Sequence, residues 1–389
     1  MIAERLTLEV GAVAHGGHCV ARAPDGRVVF VRHALPGERV VAEVTEERRG
    51  YLRADTVAVL TAAAGRVPPP CRYAGRCGGC DFQHVEPAAQ RDLKAAVVRE
   101  QLVRLGGLAP AEVDALRIEV AALPGGPLGW RSRVRYTVDA AGRAGLLAHR
   151  SHEVVPVDRC AIAHPDIQAL PVTGRDWPAD DHVTAVAPSG GGPVAFGDRA
   201  PAGWVAEVAV RRRWRVPADG FWQVHPAAPD TLAGAVVELV APRAGERAWD
   251  LYGGAGLFAA VLADAVGPTG AVTLVESDRA GVAAARDNLA DLPNVHIVRS
   301  TVERFRYSGR PDVVVLDPPR SGAGAAVVRT LVGVSPRAIG YVACDPAAFA
   351  RDVATFRSAG WRLAALRAFD AFPMTHHVEC VGLLCPPIS

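Results

Sequence analysis

The chain has 389 residues, half of them hydrophobic and 22% charged, with 43 basic side chains set against 41 acidic ones. That length and apolar content exclude a largely disordered chain and supply core for two or three domains. The near balance of charge, a net +2, excludes a histone-like cationic coat but not a local basic face.

Lys94 is the only lysine, so any anion-binding surface must be built from planar arginine side chains. The start, Met1-Ile2-Ala3-Glu4-Arg5-Leu6-Thr7, has no apolar signal-peptide core, and no run of about 18 apolar residues follows. A cytoplasmic protein without membrane contact is expected. There, clustered cysteines serve more often as metal ligands or catalysts than as disulfides.

Residues 1–61 read as short strands. Leu6, Leu8 and Val10 alternate, Val28–Val31 is a compact apolar run, and Asp25-Gly26 is a hairpin signal. Glycine-punctuated short strands predict a small β-barrel. Pro68-Pro69-Pro70 marks a boundary.

Next comes Cys71-x5-Cys77-x2-Cys80, with Cys160 far downstream. Gly75, Gly78 and Gly79 let this loop curl round a metal, and Cys160 would complete four thiolates. Zinc and an iron–sulfur cluster both suit such a set. Buried apolar cysteines are the competing account.

Pro87 to Leu105 has a helical pattern, with Leu93, Val97, Leu102 and Leu105 compatible with one apolar face. Residues 118–216 look β-rich and irregular. Two arginine groups lie there. Arg131, Arg133 and Arg135 alternate and would share one strand face, and Arg211, Arg212, Arg213 and Arg215 are flanked by Trp204 and Trp214. Arginine beside aromatic rings suits phosphates and stacked bases, whereas a solvated strand face is the plainer reading.

From about residue 217 apolar runs alternate with helical patterns, at 247–252, 271–276, 295–298, 313–317 and 338–343. This predicts a mostly parallel sheet with helices on both faces. Asp250-Leu251-Tyr252-Gly253-Gly254-Ala255-Gly256 follows the first run, and Glu276 ends the next strand. Glycines at a strand-to-helix turn admit a ligand to the backbone, and the strand-end acid can hold ribose hydroxyls. Alone, this loop does not separate NAD from S-adenosylmethionine. Asp317-Pro318-Pro319-Arg320 makes a stiff acidic loop at the same sheet edge, of a kind found in methyltransferases that act on bases.

Cys344, in Tyr341-Val342-Ala343-Cys344-Asp345-Pro346, ends another strand, where it is either a nucleophile or packing. Glu379 interrupts the inner strand of Val378, Cys380, Val381, Leu383 and Leu384, a costly place for an unused carboxylate. His376 and His377 precede it; solvated or hydrogen-bonded roles fit them better than ligand or base roles.

Taken in order, these motifs resemble the RNA (uracil-5-)-methyltransferases. They are most similar to the branch that joins a TRAM barrel and an iron–sulfur cluster and modifies 23S ribosomal RNA. The resemblance covers nearly the whole chain. It implies an OB-like TRAM barrel at 1–61, a β-rich unit with the cysteine cluster at 62–216, and a Rossmann-like S-adenosylmethionine methyltransferase unit at 217–389. It also implies a 4Fe-4S cluster on Cys71, Cys77, Cys80 and Cys160, with zinc as the alternative. S-adenosylmethionine would meet Gln223, Tyr252, Gly254, Glu276 and Asp317. Gln223 enters through Phe221-Trp222-Gln223-Val224, which is similar to the family's Phe-x-Gln-Val segment.

In the same resemblance Cys344 is the nucleophile toward carbon 6 of uracil and Glu379 the base that clears carbon 5. Arg131, Arg133 and Arg135 are RNA-contact candidates. The chain departs from the pattern at Gly253, where cysteine is frequent, at His225 and Asp345, where asparagine is, and at Leu257, a cofactor-loop asparagine position. Asp345 would raise the pKa of the adjacent thiol. The expected partner is RNA, 23S ribosomal RNA ahead of a transfer-RNA T-loop, with the enzyme a monomer. An NAD-dependent oxidoreductase and a catalytically silent iron–sulfur RNA-binding protein are the rival readings.

Overall fold

The computed structural model describes residues 4–179, 181–200, 202–306 and 309–387. Met1-Ile2-Ala3 lie outside the described residues. Six strands open the chain: β1 (Arg5–Glu9), β2 (Val13–Ala14), β3 (His18–Arg22), β4 (Val28–Arg32), β5 (Arg39–Arg48) and β6 (Tyr51–Thr61). They form one sheet in the order β1-β5-β6-β4-β3-β2. Backbone bonds from Gly11 N–H to Val20 O and from Val20 N–H to Ala12 O curl it into a barrel. Alternate residues of β3 to β6 enter its core with Leu8, Val29, Val31, Val40 and Leu52. Asp25-Gly26 makes the expected hairpin turn: Gly26 takes φ +87° and the Asp25 carboxylate accepts from Arg27 N–H.

The cysteine loop leads into α1 (Pro87–Arg104) and α2 (Pro110–Ala115), then β7 (Val120–Ala122). Glu86 caps α1 by accepting from the Ala88 and Ala89 N–H groups, with Pro87 in the first turn. A second sheet is built from β8 (Arg133–Val138), β9 (Ala144–Leu147), β10 (Val154–Pro156), β11 (His182–Val186) and β12 (Val194–Gly197), with α3 (Pro165–Ala169) between its strands. The hairpin of β13 (Trp204–Ala209) and β14 (Arg212–Pro217) follows; Val210 and Arg211 both take positive φ at its two-residue turn.

The remaining elements are α4 (Ala228–Val240), β15 (Arg247–Leu251), α5 (Leu257–Val266), β16 (Ala271–Glu276), α6 (Arg279–Asn288), β17 (Val295–Arg299), β18 (Val313–Leu316), α7 (Gly324–Val334), β19 (Ala338–Ala343), α8 (Pro346–Ser358), β20 (Arg362–Asp370) and β21 (Glu379–Cys385). Their sheet runs β17-β16-β15-β18-β19-β21-β20-β7. β15 to β19 pair in parallel and β21 is antiparallel to both neighbours. The strand order reverses at β15, so a crevice opens beyond the carboxyl ends of β15, β16 and β18. Apolar side chains from α7 and α8 cover one face and those from α4 and α5 the other.

Packing crosses the expected boundary at 217. Strand β7 pairs with β20, and Val98, Leu102, Val113 and Ile118 pack in the same core as Leu366 and Phe356. Periodicity shows that a helix has a face to bury, not which sheet it covers. Lys94 ties this segment down: its Nζ lies 2.5 Å from Asp370 Oδ1 and donates to Phe372 O, with both charged side chains buried. Among the described residues no helix is long and apolar enough to cross a membrane.

Candidate active site

The sheet edge makes the floor of a cavity of about 980 Å³, at the upper end of small-molecule sites. Gln223, Tyr252, Gly254, Glu276, Asp317, Cys344 and Glu379 all line it. The glycine loop is shaped for close approach. Tyr252, Gly254 and Gly256 take positive φ, and a Cβ placed on Gly254 would meet nothing within 4 Å. Glu276 braces the loop: one carboxylate oxygen accepts from Gly254 N–H at 2.9 Å, the other from Asp278 N–H. Two oxygens with spare lone pairs then remain at the cavity wall, suited to ribose hydroxyls. Asp250 lies beneath, accepting from Ala259 N–H; burial, with Asp317 and Glu276 nearby, pushes its carboxyl up to about 8.

The structure gives physical reasons for some sequence departures. A Cβ on Gly253 would come within 2.5 Å of Leu274, so the larger leucine on β16 occupies the space a loop side chain would need. Leu257 is a core residue of α5. His225 is buried, accepts from Ala227 N–H and stacks 5.9 Å from the Trp130 ring; burial lowers its imidazole to about 4.

Cys344 follows the last residue of β19 and Glu379 is the first of β21, with Ala343 paired to Cys380. Burial, with Glu379 and Asp317 close by, pushes the Cys344 thiol up to about 12, against the opposing Arg320 guanidinium. Glu379 is 3% exposed. Burial and then Asp317 raise its carboxyl well above the ordinary range, Arg320 again opposing. Asp317 is raised too, by burial. A cation placed among these groups would draw all three back toward their ionised forms.

The roof comes from elsewhere. Trp130, Arg131, Phe221, Gly78, Gly79 and Asp81 line the cavity. Phe221, 73% exposed, stands at the mouth. Asp81 accepts from the His376 backbone N–H and lies 2.6 Å from its Nδ1; Asp81 and Phe82 also donate their N–H groups to Met374 O. Sequence reasoning gave Trp130, Asp81 and Arg320 no roles of their own. Asp81 follows Cys80 directly and Arg320 closes the Asp-Pro-Pro-Arg loop; for Trp130 the sequence offers no signal.

The three candidate arginines part company. Arg131 lines the cavity, and Arg135 is exposed and paired with Asp198. Arg133 is buried, 2.9 Å from Glu207 Oε1, and donates to Ala218 O and Gly220 O. The expected shared basic face is corrected on this point: Arg131 precedes the strand, and the buried Glu207 carboxylate requires the Arg133 cation. Arg212 and Arg215 are likewise matched by Asp291 and Asp287.

Cys71, Cys77 and Cys80 sit on the loop before α1, and Cys160 joins them from the loop after β10. Cys77 lies in the electrostatic field of Cys71 and Cys160, and Cys80 in that of Cys160 and Cys77. Burial raises the thiols of Cys77, Cys80 and Cys160. Gly78 donates its N–H to Leu147 O at the end of β9, and a Cβ on it would meet His149 N at 2.8 Å in the turn beyond. Among the described residues no three His, Cys, Asp or Glu side chains converge closely enough to hold a single metal ion. Cys80 and Cys160 pack against Trp130 and Met374, and four thiols have the soft donor chemistry of thiolate-bound groups.

Comparison with known proteins adds identity to this geometry. Family models match as TRAM domain over residues 1–57, Methyltransferase small domain over 228–339 and tRNA (Uracil-5-)-methyltransferase over 306–386. An uncharacterized RNA methyltransferase of Streptomyces avermitilis is 48% identical over 429 residues, spanning 98% of each chain. The 23S rRNA (uracil(1939)-C(5))-methyltransferase RlmD of Thiobacillus denitrificans is 32% identical, covering 97% of this chain and 98% of that one. Among solved structures, the Pyrococcus abyssi tRNA (uracil-54, C5)-methyltransferase in complex with S-adenosyl-L-homocysteine shares the fold. Its TM-score is 0.73 over 97% of this chain and 99% of that one, at 20% identity. The chain belongs to the TRAM-bearing RNA (uracil-5-)-methyltransferase family.

Proposed function

We propose that the protein transfers a methyl group from S-adenosylmethionine to carbon 5 of a uridine in 23S ribosomal RNA, through a covalent adduct on Cys344. The supporting observation is the convergence of Gln223, Tyr252, Gly254, Glu276, Asp317, Cys344 and Glu379, from six separate segments, on one cavity. Gln223, Tyr252, Gly254, Glu276 and Asp317 would hold the cofactor. When bound, S-adenosylmethionine supplies an electrophilic methyl group and the positive charge of its sulfonium. Near that charge, the acids Asp317 and Glu379 and the Cys344 thiol ionise at lower pH.

Carbon 5 of uracil is a weak nucleophile. Cys344 thiolate adds to carbon 6, and the displaced π pair makes carbon 5 nucleophilic enough to take the methyl group. Glu379 carboxylate then removes the carbon 5 proton. The C–H pair restores the ring double bond as the bond from sulfur to carbon 6 breaks. The target base must leave its stack, at a cost of a few kcal/mol, so loop or single-stranded RNA is the fitting substrate. Arg131 and Phe221, at the cavity wall and mouth, would meet it.

Cys71, Cys77, Cys80 and Cys160 would hold a 4Fe-4S cluster with a structural role beside the roof, since methyl transfer moves no electron through the protein. The units 1–61, 62–216 and 217–389 and a cytoplasmic address belong to the same reading.

The test is Cys344→Ala with RNA carrying 5-fluorouridine. The native protein should form a covalent RNA adduct and methylate unmodified RNA; the variant should do neither. Methylation by Cys344→Ala at the native rate would overturn the mechanism. Mapping 5-methyluridine in a deletion strain decides the substrate. Loss from a transfer-RNA T-loop would replace ribosomal RNA; the name of the Pyrococcus neighbour gives uracil-54 of tRNA for that enzyme. No loss from any RNA would favour a silent RNA-binding protein. An anaerobic visible spectrum distinguishes iron–sulfur from zinc.

A further inference from the structure

The turn between β2 and β3 of the barrel, His15-Gly16-Gly17, is wedged against two other parts of the molecule. Gly17, at φ +80°, is so enclosed that a Cβ there would lie 2.9 Å from the Cβ atoms of both Asp81 and His376. From this turn His15 reaches the residue next to the proposed nucleophile, with Nε2 3.1 Å from Asp345 Oδ2. The two positions are 330 residues apart in sequence. Asp345 also caps α8, accepting from Ala348 N–H through its other oxygen.

We propose that His15 is a positioning residue for the nucleophile: it pairs the Asp345 carboxylate beside Cys344, so that the thiol's reactivity depends on the docked barrel. The catalytic consequence rests on reading Cys344 as the nucleophile; the pairing does not.

Burial would raise the Asp345 carboxyl, but His15 and the Ala348 N–H hold it near 2, so it is ionised at working pH. An ionised carboxylate only accepts hydrogen bonds, so His15 Nε2 carries the proton in either charge state of the ring. The surroundings make this pairing matter. Cys344 faces Glu379 of β21, Asp317 and Arg320 after β18, and Asp345 itself. That is three acids against one cation. Asp345 faces His15 and, at longer range, Arg351 of α8; His15 also meets the edge of the His376 ring at 6.3 Å. Among the described residues, the donors to the Asp345 carboxylate are His15 and the Ala348 N–H. Removing His15 therefore leaves one more uncompensated negative charge beside a thiol that must become a thiolate.

The pH dependence of Cys344 alkylation by iodoacetamide, followed by peptide mass spectrometry on the full chain without RNA, tests this. His15→Ala should move the midpoint upward by roughly half to one pH unit, slowing alkylation about three- to tenfold at fixed pH. Asp345→Asn should move it downward, and the double variant should match Asp345→Asn alone. His15→Gln, which keeps a neutral donor, should fall between native and His15→Ala and serves if the alanine variant folds poorly. The plateau rate at high pH reports access to the thiol and should stay unchanged. An unmoved midpoint in His15→Ala, or an equal upward move in the Asp345→Asn background, overturns the proposal. Because no RNA is present, a protein that failed to methylate anything would still give a clear answer.

Discussion

The floor and the roof of the cavity are assembled in different ways. Tyr252, Glu276, Asp317, Cys344 and Glu379 stand at or just beyond the ends of β15, β16, β18, β19 and β21. A parallel sheet brings the carboxyl ends of β15, β16, β18 and β19 together, and the antiparallel β21 brings its first residue to the same edge. The roof has no shared sheet. Gly78, Gly79 and Asp81 come from the cysteine loop, Trp130 and Arg131 from the segment before β8, and the flanking turn 15–17 from the barrel. The floor carries the proposed bond-making groups, whereas the roof sets enclosure and charge. Replacing a reacting group of the floor should therefore remove chemistry while sparing stability, whereas breaking a packed or paired contact should act on stability or on charge.

Glu379→Gln attacks the floor and should have the largest effect. Methyl transfer should fall about 10²- to 10⁴-fold while a methylated Cys344 adduct accumulates, seen as an RNA-shifted band. Its thermal midpoint should not fall, since a buried carboxyl held above its ordinary range gives way to a neutral isostere. The tie between floor and roof is Lys94. Lys94→Met strands Asp370 in the interior and should cost about 3–5 kcal/mol in urea unfolding. Lys94→Met with Asp370→Leu should recover much of that loss.

Gly253→Ala tests whether the loop and β16 are matched. It should cost about 1–3 kcal/mol and weaken S-adenosylmethionine binding, both relieved by Leu274→Ala. The smallest effect lies within the barrel, at Glu38. Burial there would raise the carboxyl, but Arg66 and the Leu35 and Ala63 N–H groups hold it below its ordinary value. A depressed folded pKa stabilises above the unfolded value near 4.5 and is lost as pH falls through the folded one. Hydrogen exchange of β5 and β6 should quicken in that acid range, and less so in Glu38→Gln.

The same contrast explains what could be read from sequence. Tyr252, Glu276, Asp317 and Glu379 were legible, because a strand-end acid, a glycine turn and a carboxylate inside an apolar strand each break a local rule, whereas Cys344 stood out only through the family resemblance. The parallel strands were legible by their alternation with helices. Roof residues break no local rule. Arg133 looked like its neighbours Arg131 and Arg135, and only the buried Glu207, distant in sequence, turns it inward. His15 and Asp345 carry no mark of their partnership, and Gly253 reads as a departure until Leu274 is seen against it.

The pairing of β7 with β20 has a consequence for how the chain is made. Val120 meets Ala368, so this edge strand and α1 emerge from the ribosome long before their surface exists. The barrel can close early, because its six strands are local. Val98, Leu102 and Ile118 must wait, solvent-exposed, for nearly the whole catalytic sheet. Such long-range closure is slow and leaves apolar surface open to aggregation. Synthesis should therefore pass through a stage with a finished barrel and an unburied helix, the stage at which a chaperone would have something to hold.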